Sequence, residues 1–199
     1  MLKRIRSLVS NSSFIEIYDN ALSKKECDTL ISQFEKLPHL EGRTQMGPDP
    51  DIKRCIEIHP SLEISFKKPS RISNIIQPVL WNYVAKYADK YNALRNHIQL
   101  WKVFPNYNIQ KYETEDDGYK QWHMEHGKDP VSARRILAWM FYLNNAESGT
   151  EFIHYPTIHA KMGRLVIWPS SWSHVHRSEL PNKGLKYIIT GWVSFRDEK

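Results

Sequence analysis

The chain is poor in cysteine and has no long apolar run. Its two cysteines, Cys27 and Cys55, lie far apart in 199 residues and form neither a CxxC pair nor a metal-ligand spacing. A disulfide framework is therefore not expected, and packed thiols in a reducing compartment are the simpler reading. No stretch approaches the roughly 20 apolar residues of a membrane span. The basic start Met1-Leu2-Lys3-Arg4-Ile5-Arg6 runs through Leu8-Val9 into Ser10-Asn11-Ser12-Ser13, without the apolar segment of a signal peptide. The expectation is a cytoplasmic protein with no membrane partner. Internal repeats, low-complexity tracts and linkers are also missing, which points to a single domain over residues 1–199. No nucleic-acid-binding motif accompanies the net charge of +6, spread over Lys3, Arg4, Arg6, Lys67, Lys68, Arg134 and Arg135. A solvated basic surface accounts for it, and a nucleic-acid partner has no motif in its favour.

What the chain does have is a folding composition, 41% hydrophobic and 12% aromatic, in a length that buries a core without staples. Residues 14–18 alternate as a strand and stop at Asp19-Asn20. Ser23-Lys24-Lys25-Glu26 spells a capping box, and Cys27, Leu30, Ile31 and Phe34 follow at helical spacing, predicting an amphipathic helix over 24–36. Residues 38–60 carry Pro48 and Pro50 without periodicity and are expected to be a long loop of binding function. A second helix is expected from about Ser70 to Tyr91, kinked or split at Pro78. Beyond it the period shortens, with strands expected at 98–103, 108–112, 119–125, 135–143, 151–154, 164–168, 172–177 and 185–195. Helices first and short strands after give an α+β fold, with helices flanking a β-sandwich or jelly roll.

The chemistry-bearing pattern is Trp122-His123-Met124-Glu125, then Ser173-His174-Val175-His176, then Lys186. In a strand His123 and Glu125 point to one face, so both reach one metal while Met124 turns away. One more imidazole from a distant strand completes two nitrogens and a carboxylate on one face of an octahedron. The open positions suit Fe(II), a bidentate cosubstrate and O2. Taken alone, His-x-Glu is a weak signal in a chain with nine histidines, most of which satisfy ordinary hydrogen bonds. On a strand, His174 and His176 share a face, and periodicity leaves both open as the third donor.

The order of the remaining pieces sharpens the reading. The pair is followed by a strand from Arg135 to Tyr142-Leu143-Asn144, by Glu147-Ser148-Gly149-Thr150, by Gly163-Arg164-Leu165-Val166-Ile167-Trp168-Pro169, and by Gly184, Lys186 and Trp192. This resembles the Fe(II)- and 2-oxoglutarate-dependent dioxygenases of the prolyl 4-hydroxylase-like branch, over roughly residues 100–195. The resemblance implies a double-stranded β-helix (jelly roll) with flanking N-terminal helices and a catalytic core over about 98–195. Fe(II) and 2-oxoglutarate would be its cofactors, and O2 its cosubstrate. It assigns the metal to His123, Glu125 and His176, which lies ten residues before Lys186 as the family spacing requires. Lys186 would hold the distal carboxylate of 2-oxoglutarate, helped by Tyr112, Tyr142 and Thr150. Arg135, His174, Arg177 and Trp192 become contacts of the substrate or supports of the ligands.

Two departures from the family pattern stand out. Glu125 replaces the usual Asp, and the turn 147–150 lacks the full glycine pair. The activity implied is hydroxylation of an unactivated C–H bond in a peptidyl proline or other amino-acid residue, or in a small molecule, with 2-oxoglutarate converted to succinate and CO2. Segment 38–60 would be the substrate lid. Two other classes use part of the pattern: a non-catalytic binding module on the same scaffold, and a zinc hydrolase with the same three ligands. Neither needs Lys186.

Overall fold

A computed structural model describes residues 13–44, 46–59, 71–103 and 105–196. The basic N-terminal stretch, Lys67, Lys68 and the expected helix start at Ser70 lie outside the described residues. The elements are β1 (Glu16–Tyr18), α1 (Lys24–Phe34), β2 (Leu40–Glu41), β3 (Arg43–Thr44), β4 (Gly47–Pro48), β5 (Lys53–Arg54) and β6 (Ile56–Ile58). There follow α2 (Arg71–Lys90), β7 (Trp101–Val103), β8 (Asn108–Tyr112), β9 (Gly118–Tyr119), β10 (Arg135–Tyr142), β11 (Gly149–Phe152), β12 (Tyr155–His159), β13 (Leu165–Pro169), β14 (His176–Ser178) and β15 (Lys186–Phe195).

The capping box forms as the sequence predicts. Ser23 Oγ accepts the Glu26 backbone N–H while Glu26 accepts the Ser23 N–H at 2.7 Å. Replacing the cap should cost about 1 kcal/mol. Ser23→Ala is therefore expected to lower Tm by roughly 2–4 °C, a shift that a calorimetric scan resolves. Helix α2 runs unbroken through Pro78, which corrects the expected split. Its buried residues Ile72, Ile76, Leu80, Val84 and Tyr87 anchor it against the sheet, and packing of this kind outweighs one lost backbone hydrogen bond.

The larger sheet has the order β1-β13-β10-β15-β8-β6-β2, with β7 also paired to β15. A smaller sheet of order β12-β11-β14 faces it. Strand β10 shows why both faces are apolar. Leu137, Trp139 and Phe141 join the helices in one core, whereas Ala138, Met140 and Tyr142 join Phe152 and Ile158 of the smaller sheet in the other. The same alternation on β15 sends Tyr187, Ile189 and Val193 to the helices. Lys186, Ile188, Thr190 and Trp192 then face the space between the sheets. The architecture is the expected α+β jelly roll, with the site opening between its two sheets.

Segment 38–60 is not the unstructured loop expected from its composition. It carries five short strands, two of which extend the larger sheet. A buried carboxylate organises it: Glu57 accepts the Arg43 backbone N–H at 2.9 Å, pairs with the Lys53 ammonium and bonds His59 at 2.9 Å. Burial alone would raise the Glu57 pKa, but His59 and Lys53 outweigh it and hold the carboxyl below its usual range. Further differences lie nearer the site. Of the expected strand 119–125 only Tyr119 falls in a strand, β9, and residues 172–174 form a 3-10 turn. Strand β12 was not anticipated. Among the described residues, no helix is long and apolar enough to cross a membrane.

Candidate functional site

His123, Glu125 and His176 offer one ligand atom each, and these atoms all lie within 4.8 Å of one another. The chain brings them together without the regular strand that the i, i+2 reading assumed. His123 and His176 form an isolated antiparallel bridge, their backbones exchanging hydrogen bonds of 3.0 and 2.9 Å. The Glu125 N–H bonds the Ser170 carbonyl at 3.1 Å, which turns the glutamate toward the same point.

The imidazoles are oriented as metal ligands are. His123 Nδ1 lies 3.0 Å from the Gln121 carbonyl, and His176 Nδ1 lies 2.9 Å from the His174 carbonyl. A carbonyl only accepts, so each Nδ1 carries a proton and each Nε2 is left as the ligand atom beside Glu125 Oε1, which lies 3.9 Å from His123 and 3.5 Å from His176. Burial, with His176 beside it, lowers the His123 pKa to about 4 and keeps the ring neutral. Burial opposes ionisation of Glu125, yet His176 and His123 close beside it and the Arg135 cation prevail and hold it at about 2. Two imidazoles and one carboxylate therefore converge, and this donor set fits Fe(II).

The second carboxylate oxygen of Glu125 is engaged elsewhere. Trp192 Nε1 donates to Oε2 at 2.7 Å, and Arg135 Nη1 lies 3.4 Å from Oε2 and donates to the Glu125 backbone carbonyl at 2.9 Å. The Arg135 guanidinium stacks on the Trp192 ring at 3.6 Å. This clamp leaves Oε1 facing the histidines. Trp192→Phe keeps the ring and removes the donor, and should weaken metal binding by about 10–100-fold, the usual cost of losing a partner behind a ligand. A competitive chelator titration measures it.

His174 does not share a face with His176, because the 3-10 turn at 172–174 precedes β14. Its Nε2 bonds the Ser13 carbonyl at 2.7 Å, its Nδ1 bonds Ser173 Oγ at 2.8 Å, and its ring stacks on Tyr155. With both nitrogens engaged there, the side chain ties down the N-terminal segment, and only the backbone carbonyl of His174 reaches toward the site. Its expected contact with substrate finds no support in this placement.

A cavity of about 970 Å³ opens beside the three donors and is lined by Lys186, Tyr112, Tyr142 and Thr150 as well as by Arg135 and Arg177. Lys186 pairs with Tyr112 across β15 and β8, so both side chains project from one face of the sheet. The Lys186 ammonium sits 5.0 Å from the Tyr112 ring centre. It is 2% exposed, and among the described residues no carboxylate pairs with it. Burial lowers its pKa to about 8, with Glu179 opposing. Tyr142 Oη and Thr150 Oγ1 share a hydrogen bond of 2.7 Å, and Tyr112 Oη donates to Gln110 at 2.5 Å. A buried cation among hydroxyls and without an anion is the environment that a dicarboxylate would complete. Arg177 pairs with Glu151 at 2.7 Å and stacks on Trp122 at 4.4 Å. Gln110, Ser148 and Asn182 were not anticipated. Of these, only Ser148 left a trace in the sequence, as the residue standing where the glycine pair begins.

Residues 107–194 match the family model of the 2OG-Fe(II) oxygenase superfamily. This stretch is a 2OG-Fe(II) oxygenase domain. A domain of this kind makes a dioxygenase that works with Fe(II), 2-oxoglutarate and O2. Comparison with curated proteins finds no match. Among solved structures the oxygenase is similar to the viral collagen prolyl hydroxylase of Paramecium Bursaria Chlorella virus-1 in complex with 2OG. The TM-score is 0.66 at 18% identity, over 92% of this chain and 97% of that one. It is also similar to a prolyl-4-hydroxylase of Pseudomonas putida, with a TM-score of 0.62 at 15% identity, over 99% of this chain and 100% of that one. A third likeness is to a prolyl hydroxylase of Trichoplax adhaerens in complex with a hypoxia inducible factor peptide fragment, with a TM-score of 0.64 at 15% identity, over 97% and 90% of the two chains. At these identities the likeness is one of fold.

Proposed function

We propose that the oxygenase hydroxylates an unactivated C–H bond of a peptidyl residue, proline foremost, while converting 2-oxoglutarate to succinate and CO2. In this reading His123, Glu125 and His176 hold the iron, and Lys186, with Tyr112, Tyr142 and Thr150, holds the distal carboxylate of 2-oxoglutarate. The iron, when bound, supplies the activation of O2 that no amino-acid side chain provides. The chain's own part is positioning. The Nδ1–H bonds of both histidines leave each Nε2 as the ligand atom, Trp192 and Arg135 hold one oxygen of Glu125 so that the other turns inward, and the apolar walls of Met140 and Ile188 keep water from the cosubstrate.

The observation that carries the reading is the opening of the three-donor cluster and of a buried, anion-free lysine into one cavity. Support for a peptidyl substrate comes from the size of that cavity, about 970 Å³, at the upper end of small-molecule sites. Segment 40–59 adds to it, supplying Leu40, Arg43, Met46 and Asp49 to the lining. The Trichoplax neighbour, which holds a peptide, has the same fold. Arg43 and Arg177 on that lining are the side chains we assign to substrate.

The purified protein with Fe(II), 2-oxoglutarate, O2 and proline-containing peptides should form succinate and add one oxygen atom to a peptide, read by mass spectrometry. Succinate formed with small molecules but with no peptide would overturn the substrate assignment.

A further inference from the structure

Lys186 is the first of three buried polar groups joined in a chain, and the other two lie off the cavity lining. Lys186 Nζ donates to Ser148 Oγ at 3.1 Å, and Ser148 Oγ donates to Asn182 Oδ1 at 2.8 Å. Asn182 Nδ2 donates to the carbonyls of Thr114 at 3.1 Å and Gly184 at 3.0 Å. Ser148 is 1% exposed, Asn182 0% and Lys186 2%. Lys186 lines the cavity whereas Ser148 and Asn182 do not.

The direction of each bond follows from the chemistry of the groups. Carbonyls only accept, so the Asn182 amide nitrogen must face Thr114 and Gly184, and its oxygen must face Ser148. With an acceptor there, the single hydroxyl proton of Ser148 is committed, and its lone pairs are left for Lys186. An ammonium can donate to that oxygen. The lone pair of a neutral amine finds no donor in it.

We propose that Ser148, oriented by Asn182, is a positioning residue for the cosubstrate: it holds Lys186 as a donor and aims its remaining N–H bonds into the cavity. This rests on the assignment of Lys186 to 2-oxoglutarate. It also gives a reason for the departure at this turn. Gly149 must be a glycine, because a Cβ there would collide with the Ile158 carbonyl, whereas the preceding position has room for a side chain, and in this chain that side chain is a hydroxyl.

The test is calorimetric titration of 2-oxoglutarate into the full chain loaded with Mn(II) in place of iron, so that binding is read without turnover, across pH 6 to about 10. The titratable and charged groups around Lys186 are Tyr112 beside it on β8, Tyr142 on the neighbouring strand β10, and Glu179, which bonds the Gly149 N–H at 2.7 Å and lies 3.6 Å from His159. Lys53, on the same cavity wall, is paired with Glu57. Ser148→Ala should raise the Kd for 2-oxoglutarate about tenfold, as loss of one hydrogen bond to a charged group does. The pH at which affinity begins to fall should move downward, because the ammonium has lost an acceptor. Ser148→Thr, which keeps the hydroxyl, should restore the pH profile, and Ser148→Gly should behave as the alanine variant if that one folds poorly. A wild-type Kd in Ser148→Ala, or a raised Kd with an unmoved pH profile, would overturn the proposal. Lys186→Ala with wild-type affinity would instead sink the assignment on which it rests.

Discussion

Glu125→Ala should abolish iron retention and 2-oxoglutarate turnover together, by more than about 100-fold, since even the partners behind a ligand are worth 10–100-fold. Removing the carboxylate leaves two imidazoles and deprives the site of its negative charge. It also strands Trp192 Nε1, which the carboxylate now satisfies at 2.7 Å, and leaves Arg135 with only its bond to the backbone carbonyl of residue 125 on that side. The companion variant Glu125→Asp is informative in a different way. The family's usual residue is Asp, but in this chain one oxygen is held by Trp192 while the other faces the histidines at 3.5 and 3.9 Å. An acid shorter by one methylene cannot reach both sides, so Glu125→Asp is expected to bind iron about tenfold more weakly, at the low end of the same range. Chelator competition and succinate release check both variants. Wild-type iron affinity in Glu125→Ala would contradict the ligand assignment.

Lys186→Met should weaken 2-oxoglutarate binding by about 3 kcal/mol, roughly 100-fold, because it leaves a buried carboxylate without its cation. The same lysine predicts a pH dependence. Burial holds its pKa at about 8 in the free protein, well below the ordinary value for lysine, and a bound dicarboxylate raises it again. Below pH 8 the ammonium is already charged, and affinity should be flat. Above it the neutral amine must take up a proton to bind, so Kd should rise about tenfold per pH unit until the pKa of the complex is reached. Titrations of wild type and Lys186→Met across this range separate the effects, since the variant should be weak and lack the alkaline decline assigned to this lysine.

Legibility in the sequence followed the range of the interactions involved. Local signals read well. Ser23 and Glu26 meet as a capping box because both lie within one helical turn, and β10 reads as a continuous apolar run because both of its faces are buried. The donor set was also legible as residue types, although the geometry behind it was not. His123 and Glu125 converge through long-range backbone bonds to His176 and Ser170, not through a strand of their own. The choice between His174 and His176 depended on the interval to Lys186, whereas in the fold a 3-10 turn separates the two rings. Segment 38–60 looked like a loop because its ordering comes from Glu57, buried with Lys53 and His59, and no periodicity records such a contact. The roles of Ser148 and Asn182 were hidden for a related reason, since the bonds that join them to each other and to Lys186 and Thr114 span more than thirty positions.

The most direct measurement is anaerobic addition of 2-oxoglutarate to the Fe(II)-loaded protein, followed by visible absorption. Chelation of iron by the cosubstrate should produce a coloured complex in the wild type, should require far more 2-oxoglutarate in Lys186→Met, and should not form in Glu125→Ala. A colourless wild-type mixture at saturating iron and 2-oxoglutarate, or equal colour in all three proteins, would contradict the assignment of these residues to the iron and 2-oxoglutarate site.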